Sequence, residues 1–272
     1  MENRVILETK NLKVLVKEKE KVINYDNLQF YEGEFVNIVG SNGAGKSTFL
    51  KVLMNEADYC SIEAGEVLLN GKNIFKEYSY SELHKSVVNI GQDDNEAFKT
   101  NESAFKALVR PAIVACPTKK DEIYRLAFEY YKDFIFRFFN SKHGISEQKL
   151  EQLKNNPKKD FKFMYSRVSN LSGGQQKMIH ILQGLIKAQI TASSLILMDE
   201  PLNNLDKENK KILIGLINKI REENPLVTIL TITHCKVFNG VRSLLEIKEN
   251  GDEFVANIER FSDDIKTYDC LK

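Results

Sequence analysis

A glycine-rich segment followed by a lysine and two hydroxyl residues is the strongest chemical signal in the sequence. The segment consists of Gly40, Ser41, Asn42, Gly43, Ala44, Gly45, Lys46, Ser47 and Thr48. Glycines leave backbone N–H groups open to an anion, and the N-terminus of a following helix adds positive potential. With this spacing the lysine reaches the β- and γ-phosphates of a nucleotide, and the serine hydroxyl ligates Mg²⁺. The sequence therefore predicts a phosphate loop.

Two adjacent acidic residues, Asp199 and Glu200, follow a short apolar run at residues 195–198. The run predicts a buried strand, so both carboxylates are expected at its carboxyl end. There Asp199 would contribute to the Mg²⁺ site, and Glu200 would be the general base that takes a proton from an attacking water. An acidic pair in this position is also typical of a solvated strand end. The phosphate loop favours the catalytic interpretation.

A third segment, made of Ser172, Gly173, Gly174 and Gln175, begins a predicted helix. Serine with glutamine three residues later forms a capping box, so a plain helix start is the simplest interpretation. Two glycines there are poor helix formers and leave backbone N–H groups open to an anion. Here the chain resembles the ATP-binding cassette (ABC) family, whose Ser-Gly-Gly-Gln signature covers the γ-phosphate of a nucleotide held by the opposite subunit. The resemblance implies that these four residues bind ATP.

The same resemblance covers most of the chain and identifies further parts in their usual order. Gln92 resembles the family glutamine that contacts the metal and the nucleophilic water, and His234 resembles the histidine that contacts the γ-phosphate. Residues 202–206 resemble the loop that crosses the interface between two paired subunits. The resemblance therefore implies ATP and Mg²⁺ as cofactors. It implies catalytic roles for Glu200, His234 and Gln92, and metal ligation by Ser47, Gln92 and Asp199.

The chain departs from the family where adenine normally stacks on an aromatic side chain. Counting back from Gly33 places Val16 or Lys17 at that position. Tyr25 lies closer to the phosphate loop, and we expect it to be a core or turn tyrosine.

The elements that must position these residues alternate between strands and helices. Apolar runs predict buried strands at residues 35–39, 195–198 and 226–233, and helical periodicity predicts helices at residues 172–186 and 212–220. Such alternation indicates a mainly parallel sheet. Outside it, shorter strands are predicted at residues 5–7, 12–16 and 22–30, together with hairpins around Asn70-Gly71 and Asn250-Gly251.

The middle of the chain, residues 95–170, has a different pattern. Residues 121–139 combine helical periodicity with many aromatic side chains, which predicts the core of a helical lobe or, alternatively, a face that docks a partner. Residues 141–162 are polar and rich in lysine, which predicts a solvated loop; binding of acidic lipid or RNA is the alternative interpretation.

Together with the resemblance, these elements predict an α/β fold, a P-loop NTPase of ABC type. It has a mainly parallel sheet core, an antiparallel β subdomain and an inserted α-helical subdomain. Residues 1–272 would form a single ABC ATPase domain, with the core at residues 1–94 and 171–272 and the helical subdomain at 95–170. An extended charged loop is expected near residues 141–162.

The composition excludes several other classes of protein. The 272 residues are 42% hydrophobic, which is too apolar for a disordered chain. The 39 Lys and Arg residues nearly balance the 38 Asp and Glu residues, which leaves a net charge of +1. Such a small charge gives no reason to expect a nucleic-acid partner. No apolar run approaches the roughly 18 residues of a membrane-spanning helix, and no signal peptide is recognisable. We therefore expect a cytoplasmic protein with reduced cysteines.

The resemblance implies an ATP-hydrolysing subunit that pairs with a copy of itself, or with a second ABC subunit, around two Mg·ATP. Such a subunit drives a separate transmembrane permease, lies at the inner face of the cell membrane and contacts the membrane only through the permease. The alternative is a soluble ABC ATPase that acts on ribosomes or other nucleoprotein. A nucleotide-dependent scaffold without hydrolysis is a third class, which Glu200 and His234 disfavour.

Overall fold

The structure is a computed structural model that describes residues 4–17, 20–91, 102–130, 166–233, 238 and 240–263. The chain divides into two units. The sheet unit comprises Met1–Gln92, Ala192–Pro201 and Arg221–Lys272, and the helical unit comprises Asp93–Thr191 and Leu202–Ile220. The described strands all belong to the sheet unit.

The sheet unit contains one mixed sheet, in which eleven strands are described. In chain order the strands are β1 (Val5–Val16), β2 (Lys21–Asn24), β3 (Gln29–Tyr31), β4 (Phe35–Gly40), β5 (Cys60–Leu69), β6 (Lys72–Asn73), β7 (Val87–Ile90), β8 (Leu195–Asp199), β9 (Thr228–Ile232), β10 (Ser243–Asn250) and β11 (Glu253–Arg260). Their spatial order is β6-β5-β1-β2-β11-β10-β4-β9-β8-β7, with β3 paired to β1.

One half of the sheet is parallel, as the alternating pattern predicts. Strands β10, β4, β9, β8 and β7 pair in parallel in that order. Every residue of β8 and β9 is buried, as expected for parallel strands that are covered on both faces. Because the strands share one direction, their carboxyl ends meet at the same edge. In sheets of this kind ligands bind at that edge, where β4 ends at Gly40 and β8 ends at Asp199.

The other half is mainly antiparallel, and two strand boundaries differ from the prediction. Strand β1 is continuous where two strands are predicted, because Asn11 adopts φ 51° in a bulge and the pairing with β5 only shifts register. Residues 22–30 do not form one strand. Asn27 has φ 55°, and the Asn24 side chain accepts a hydrogen bond from the N–H of Asp26 at 3.0 Å. These two asparagines make the turn between β2 and β3.

The two predicted hairpins are present, but one turn lies a residue later than predicted. Leu69 pairs with Lys72, so Asn70 and Gly71 form the turn with φ values of 50° and 78°. This is the backbone of a type I′ turn. At the second hairpin Asn250 pairs with Glu253, so the turn residues are Gly251 and Asp252. Gly251, with φ 63°, stands at the first central position, where a type II′ turn favours glycine.

The sheet unit also contains α1 (Lys46–Leu53) and α2 (Tyr80–Ser86). Phe49, Leu50 and Leu53 of α1 are buried in the hydrophobic core together with residues of β4 and β8. Their burial fixes the direction of α1 relative to the end of β4. Helix α2 begins with a capping box in which the side chain of Ser79 and that of Glu82 each bond to the other residue's backbone N–H.

The helical unit contains α3 (Ala104–Ala115), α4 (Lys120–Tyr130), α5 (Gly173–Thr191) and the part of α6 (Lys207–Glu223) up to Ile220. Helix α3 packs against α5, and α4 packs against both. Ala104, Ala107 and Ala112 of α3 are fully buried, and their small side chains allow the helices to approach closely.

The aromatic helix predicted at residues 121–139 is described as far as Tyr130. Tyr130 is buried and its hydroxyl donates a hydrogen bond to the side chain of Gln189. In this part the helix contributes to the core of its unit, as the first of the two interpretations predicts. Residues 131–139 and the lysine-rich loop at 141–162 lie outside the described residues.

Helix α5 and residues Leu202–Ile220 belong to the helical unit. The sequence-based boundaries place both with the sheet, because they follow the loop at 141–162. The division into functional subdomains stays a prediction. Within the described part of the chain, no helix combines the length and the apolar character of a membrane span.

A buried histidine in α5 makes the stability of the protein dependent on pH. Burial, with Lys177 nearby, lowers the pKa of His180 from 6.5 to about 4. The unfolded chain therefore takes up a proton near pH 6.5 while the folded chain does not. Above pH 6.5 the ring is neutral in both states, and the folded state has its full stability. As the pH falls from 6.5 towards 4, protonation of the unfolded chain lowers the free energy of unfolding. The loss amounts to about 3 kcal/mol in the free energy of unfolding.

Urea unfolding of the wild type and of His180→Gln at pH 7.0, 5.5 and 4.5 measures this effect. The glutamine cannot take up a proton, so we expect the difference in unfolding free energy between the two proteins to shift in favour of the variant as the pH falls. A difference that is constant across the three pH values would contradict the assignment.

Candidate nucleotide-binding site

The predicted phosphate loop connects β4 to α1 at the carboxyl edge of the parallel strands. Gly43 and Gly45 have φ values of 78° and 103°, in the left-handed region that favours glycine. Gly45 is the N-cap of α1. A Cβ atom there would overlap the side chain of Ile23 and would lie 2.8 Å from the hydroxyl of Tyr25. Glycine is therefore required at this position for both backbone and space.

Lys46, the first residue of α1, folds back over the loop. Its Nζ donates hydrogen bonds to the carbonyl oxygens of Gly40 at 2.8 Å and of Ser41 at 2.9 Å. The side chain is buried, and the first turn of α1 contains no acidic residue. The ammonium group and the helix N-terminus therefore add their positive potential at the loop, which suits a bound phosphate.

Two residues that the sequence did not indicate hold the backbone of the loop. The Nζ of Lys21 donates to the carbonyl of Gly43 at 2.9 Å, and the hydroxyl of Tyr25 donates to the carbonyl of Gly45 at 2.7 Å. In the sequence Lys21 is only one of several charged residues in a turn. Tyr25 is fully buried and stacks on Phe49 at 4.7 Å, which confirms the prediction of a core tyrosine.

Asp199 ends β8 and is buried close to the loop. Its Oδ1 atom is buried and has no hydrogen-bond partner among the described residues. Burial raises the pKa of this carboxyl group, while the nearby Ser47 hydroxyl and the charge of Lys46 oppose the rise. A hydroxyl and a buried carboxylate with a spare oxygen form a donor set that suits Mg²⁺, which prefers oxygen ligands. Ser47 and Asp199 therefore fit the predicted metal site.

Glu200 follows Asp199 in a left-handed conformation with φ 48°. Its N–H donates a hydrogen bond to the carbonyl oxygen of Ile232 at 2.9 Å, which ties the residue to the end of β9. A left-handed conformation is uncommon for a residue with a side chain and is found more often at functional sites than elsewhere. The backbone therefore fixes Glu200 at the edge where the phosphate loop lies.

The Ser-Gly-Gly-Gln segment belongs to the helical unit, and α5 begins at its first glycine. The N–H of Ser172 donates to the side chain of Gln175 at 3.0 Å, which is one half of the predicted capping box. The Ser172 hydroxyl makes no hydrogen bond to a described residue, and the side chain is exposed. Gln176, which the prediction did not include, anchors the preceding turn through the carbonyls of Val168 at 3.1 Å and Leu171 at 3.0 Å.

The loop at residues 202–206 also belongs to the helical unit. Leu202 and Leu205 are buried, and Asn204 adopts φ 61°. The carboxylate of Asp206 accepts a hydrogen bond from the N–H of Asn209 at 3.0 Å and so caps α6. Gln92 and His234 lie outside the described residues, so their roles stay predictions.

At the position where adenine stacking is expected, Val16 is buried and Lys17 is exposed. The N–H of Lys17 donates to the carbonyl of Tyr59 at 3.2 Å, and the Tyr59 hydroxyl lies 3.4 Å from the hydroxyl of Thr48. An aromatic residue thus lies beside this position, although it comes from the segment after α1. Its distance from the expected position in the sequence explains why the pattern did not indicate it.

A phosphate loop between a buried parallel strand and a helix, with an acidic pair at the end of a nearby strand, defines a P-loop nucleotide-binding protein. The model of the ABC transporter family matches residues 23–203. The chain belongs to this family and is an ATP-binding ATPase domain of the ABC type.

Relatives and solved structures agree with this assignment. The probable ATP-dependent transporter ycf16 of Trieres chinensis is 29% identical over 237 residues, which cover 84% of this chain and 82% of that protein. A probable ABC transporter ATP-binding protein of Mesomycoplasma hyorhinis is 26% identical, and the alignment covers 95% of this chain and 94% of that protein. The structure of a dimeric ATP-binding cassette with bound ADP and Pi superposes on this chain with a TM-score of 0.66 at 22% identity. The superposition covers 94% of this chain and 98% of the other. At that identity the likeness shows the fold.

Proposed function

We propose that the chain is the ATP-hydrolysing subunit of an ABC transporter, which closes with a second ABC subunit around two Mg·ATP and drives a separate membrane permease. The observation that carries the proposal is the phosphate loop, with Lys46 anchored over it and the buried carboxylate of Asp199 close to Lys46 and Ser47. A phosphate loop without an acidic group would explain binding of a nucleotide but not its hydrolysis.

Each part of the site has one task in this proposal. Residues 40–48 bind the phosphates through backbone N–H groups and through Lys46. Ser47 and Asp199, with Gln92 from the resemblance, would hold Mg²⁺, which neutralises charge on the phosphates. Glu200 accepts a proton from the attacking water. His234 contacts the γ-phosphate, as the resemblance implies.

The second subunit supplies the exposed serine and the two glycines at the start of α5. The exposed Ser172 hydroxyl makes no hydrogen bond to a described residue. Together with the N–H groups at the helix N-terminus, it could donate a hydrogen bond to a γ-phosphate that is held by the other subunit. Closure on ATP and reopening after hydrolysis give a two-state switch, which a transporter needs for alternating access.

The proposal of a permease partner is supported by the names of related proteins. A phosphonates import ATP-binding protein of Oceanobacillus iheyensis is 28% identical, and the alignment covers 85% of this chain and 82% of that protein. We infer that this chain likewise lies at the cytoplasmic face of the membrane and contacts it through the permease. The transported substrate is a property of that partner.

Affinity purification from detergent-solubilised membranes of the source cells tests the proposal. We expect the tagged chain to bring down a membrane protein with several spans in a constant ratio, and the purified complex to hydrolyse ATP. A tagged, unrelated cytosolic protein serves as the control for carry-over. Recovery with ribosomal particles in place of a membrane protein would contradict the proposal and favour the soluble alternative.

A further inference from the structure

Strand β2 and the residue after it contact the phosphate loop from an earlier part of the chain. Lys21 is the first residue of β2, and Tyr25 follows its last residue, Asn24. The hydrogen bonds that these two side chains donate to the carbonyls of Gly43 and Gly45 span 22 and 20 residues of sequence. Because β2 pairs with β1 on one side and with β11 on the other, the sheet fixes the place from which both side chains start.

Tyr25 is held in place at its backbone and at its ring. Its N–H donates to the carbonyl of Leu12 at 2.9 Å, and its own carbonyl accepts a hydrogen bond from the hydroxyl of Thr9. The ring is fully buried and stacks on Phe49 of α1. Burial raises the pKa of the Tyr25 hydroxyl well above its ordinary value, so the group keeps its proton. It is therefore a fixed hydrogen-bond donor to the carbonyl of Gly45.

The bond from Tyr25 determines the direction of a backbone N–H group in the loop. The carbonyl of Gly45 and the N–H of Lys46 belong to one planar peptide group, in which they point in opposite directions. This carbonyl accepts from the Tyr25 hydroxyl at 2.7 Å and from the N–H of Phe49 at 2.9 Å, so the plane is fixed. The N–H of Lys46 then points away from Tyr25. Since Gly45 has no side chain to cap α1, that N–H is left for a phosphate.

Lys21 has the same effect on a second peptide group of the loop. Its Nζ donates to the carbonyl of Gly43 at 2.9 Å, and the N–H of Ala44, in the same peptide group, donates to the carbonyl of Ser41 at 3.1 Å. The Lys21 ammonium also lies 2.9 Å from the ring centroid of Phe254 on β11, which restricts its position. Both ends of the Gly43–Ala44 peptide group are therefore bonded.

We propose that Lys21 and Tyr25 are positioning residues for ATP, which hold the phosphate loop in its binding conformation before the nucleotide arrives. The inference rests on the phosphate-binding part of the proposed function. A loop with three glycines has much conformational freedom to lose, and a loop that is already ordered loses less of it on binding. Both residues act through the backbone of the loop, so they should affect the affinity for ATP and not the chemical step. Neither residue belongs to the phosphate-loop pattern.

Isothermal titration calorimetry of Tyr25→Phe with ATP and with tripolyphosphate tests the proposal. The variant keeps the ring that stacks on Phe49 and loses only the hydroxyl. We expect about three- to tenfold weaker binding of ATP, the usual effect of losing one hydrogen bond. Tripolyphosphate has the phosphates but neither base nor ribose, and its affinity should fall by the same factor. In ATP hydrolysis KM should rise by that factor, while kcat changes less than about twofold.

Tyr78→Phe is the matched control. Tyr78 is a half-buried tyrosine of the same unit, and its hydroxyl donates to the carbonyl of Leu69 at 3.1 Å, so this variant loses the same kind of bond. It should lower the free energy of unfolding but leave the affinity for ATP unchanged. A purely structural role of Tyr25 would give the same result for both variants.

Lys21→Met provides a second test that does not disturb the core, because the bond from Lys21 lies at the surface. We expect about two- to fivefold weaker binding of ATP and of tripolyphosphate. Lys248→Met, at an exposed lysine of β10, should leave both affinities unchanged.

Equal affinities of the wild type, Tyr25→Phe and Lys21→Met for ATP would overturn the inference and leave the phosphate loop in place. An equal loss of affinity in Tyr78→Phe and Tyr25→Phe would overturn it as well. A wild type that binds neither ATP nor tripolyphosphate would overturn the assignment of the phosphate loop, and the positioning roles with it.

Discussion

Glu200→Gln should lower the rate of ATP hydrolysis by a factor of about 10² to 10⁴, the usual contribution of a general base. Glutamine has the shape of glutamate but cannot accept a proton from the attacking water. The substitution keeps the backbone N–H that bonds to Ile232, so the left-handed turn at the end of β8 is retained. ATP affinity should therefore be preserved while turnover is lost.

The same variant reports on pairing. With turnover blocked, Mg·ATP should hold two copies closed, and light scattering should then give twice the mass of the single chain. Glu222→Gln is the matched control, since Glu222 is an exposed glutamate on α6, and its removal should leave turnover unchanged. Undiminished hydrolysis by Glu200→Gln would remove Glu200 from the role of base. A chain that stays single in Mg·ATP would contradict self-pairing.

Lys46→Ala should weaken the binding of ATP about 10- to 100-fold, the range expected for loss of charge-assisted hydrogen bonds at a buried site. The variant removes the buried ammonium group that bonds to the carbonyls of Gly40 and Ser41. The loop then loses both a source of positive charge and two of the contacts that hold its shape.

Titration with a fluorescent ATP analogue measures this loss. Lys51→Ala is the control, because Lys51 is an exposed lysine on the same helix. An exposed charge contributes at most about 1 kcal/mol, so this variant should change the affinity less than about fivefold. Equal affinities of the wild type and Lys46→Ala would disprove the assignment of the phosphate loop.

The nucleotide-binding loop could be predicted in detail because its parts are neighbours in the chain. Glycines with positive φ, a lysine and a hydroxyl within nine residues have only a few conformations compatible with a strand before and a helix after. Asp199 and Glu200 could be placed at a strand end for the same reason, since an apolar run ends directly before them.

Strand boundaries were harder to predict, because an asparagine with positive φ interrupts a strand at one position and ends a strand at another. Asn11 takes a left-handed conformation inside β1 as a bulge, while Asn27 takes one in the turn that separates β2 from β3. Both residue type and local conformation are the same. The difference lies in the pairing partner, since β1 continues to pair with β5 on both sides of Asn11.

The sequence by itself determined the phosphate loop, the acidic pair and the order of parallel strands and helices, because spacing along the chain is enough to define them. Only the tertiary structure showed that Lys21 bonds to the loop across 22 residues, that Tyr25 bonds to the carbonyl of Gly45, and that the buried carboxylate of Asp199 lies close to Ser47 and Lys46. Such contacts depend on which strands are neighbours and in what register, and no local spacing encodes that.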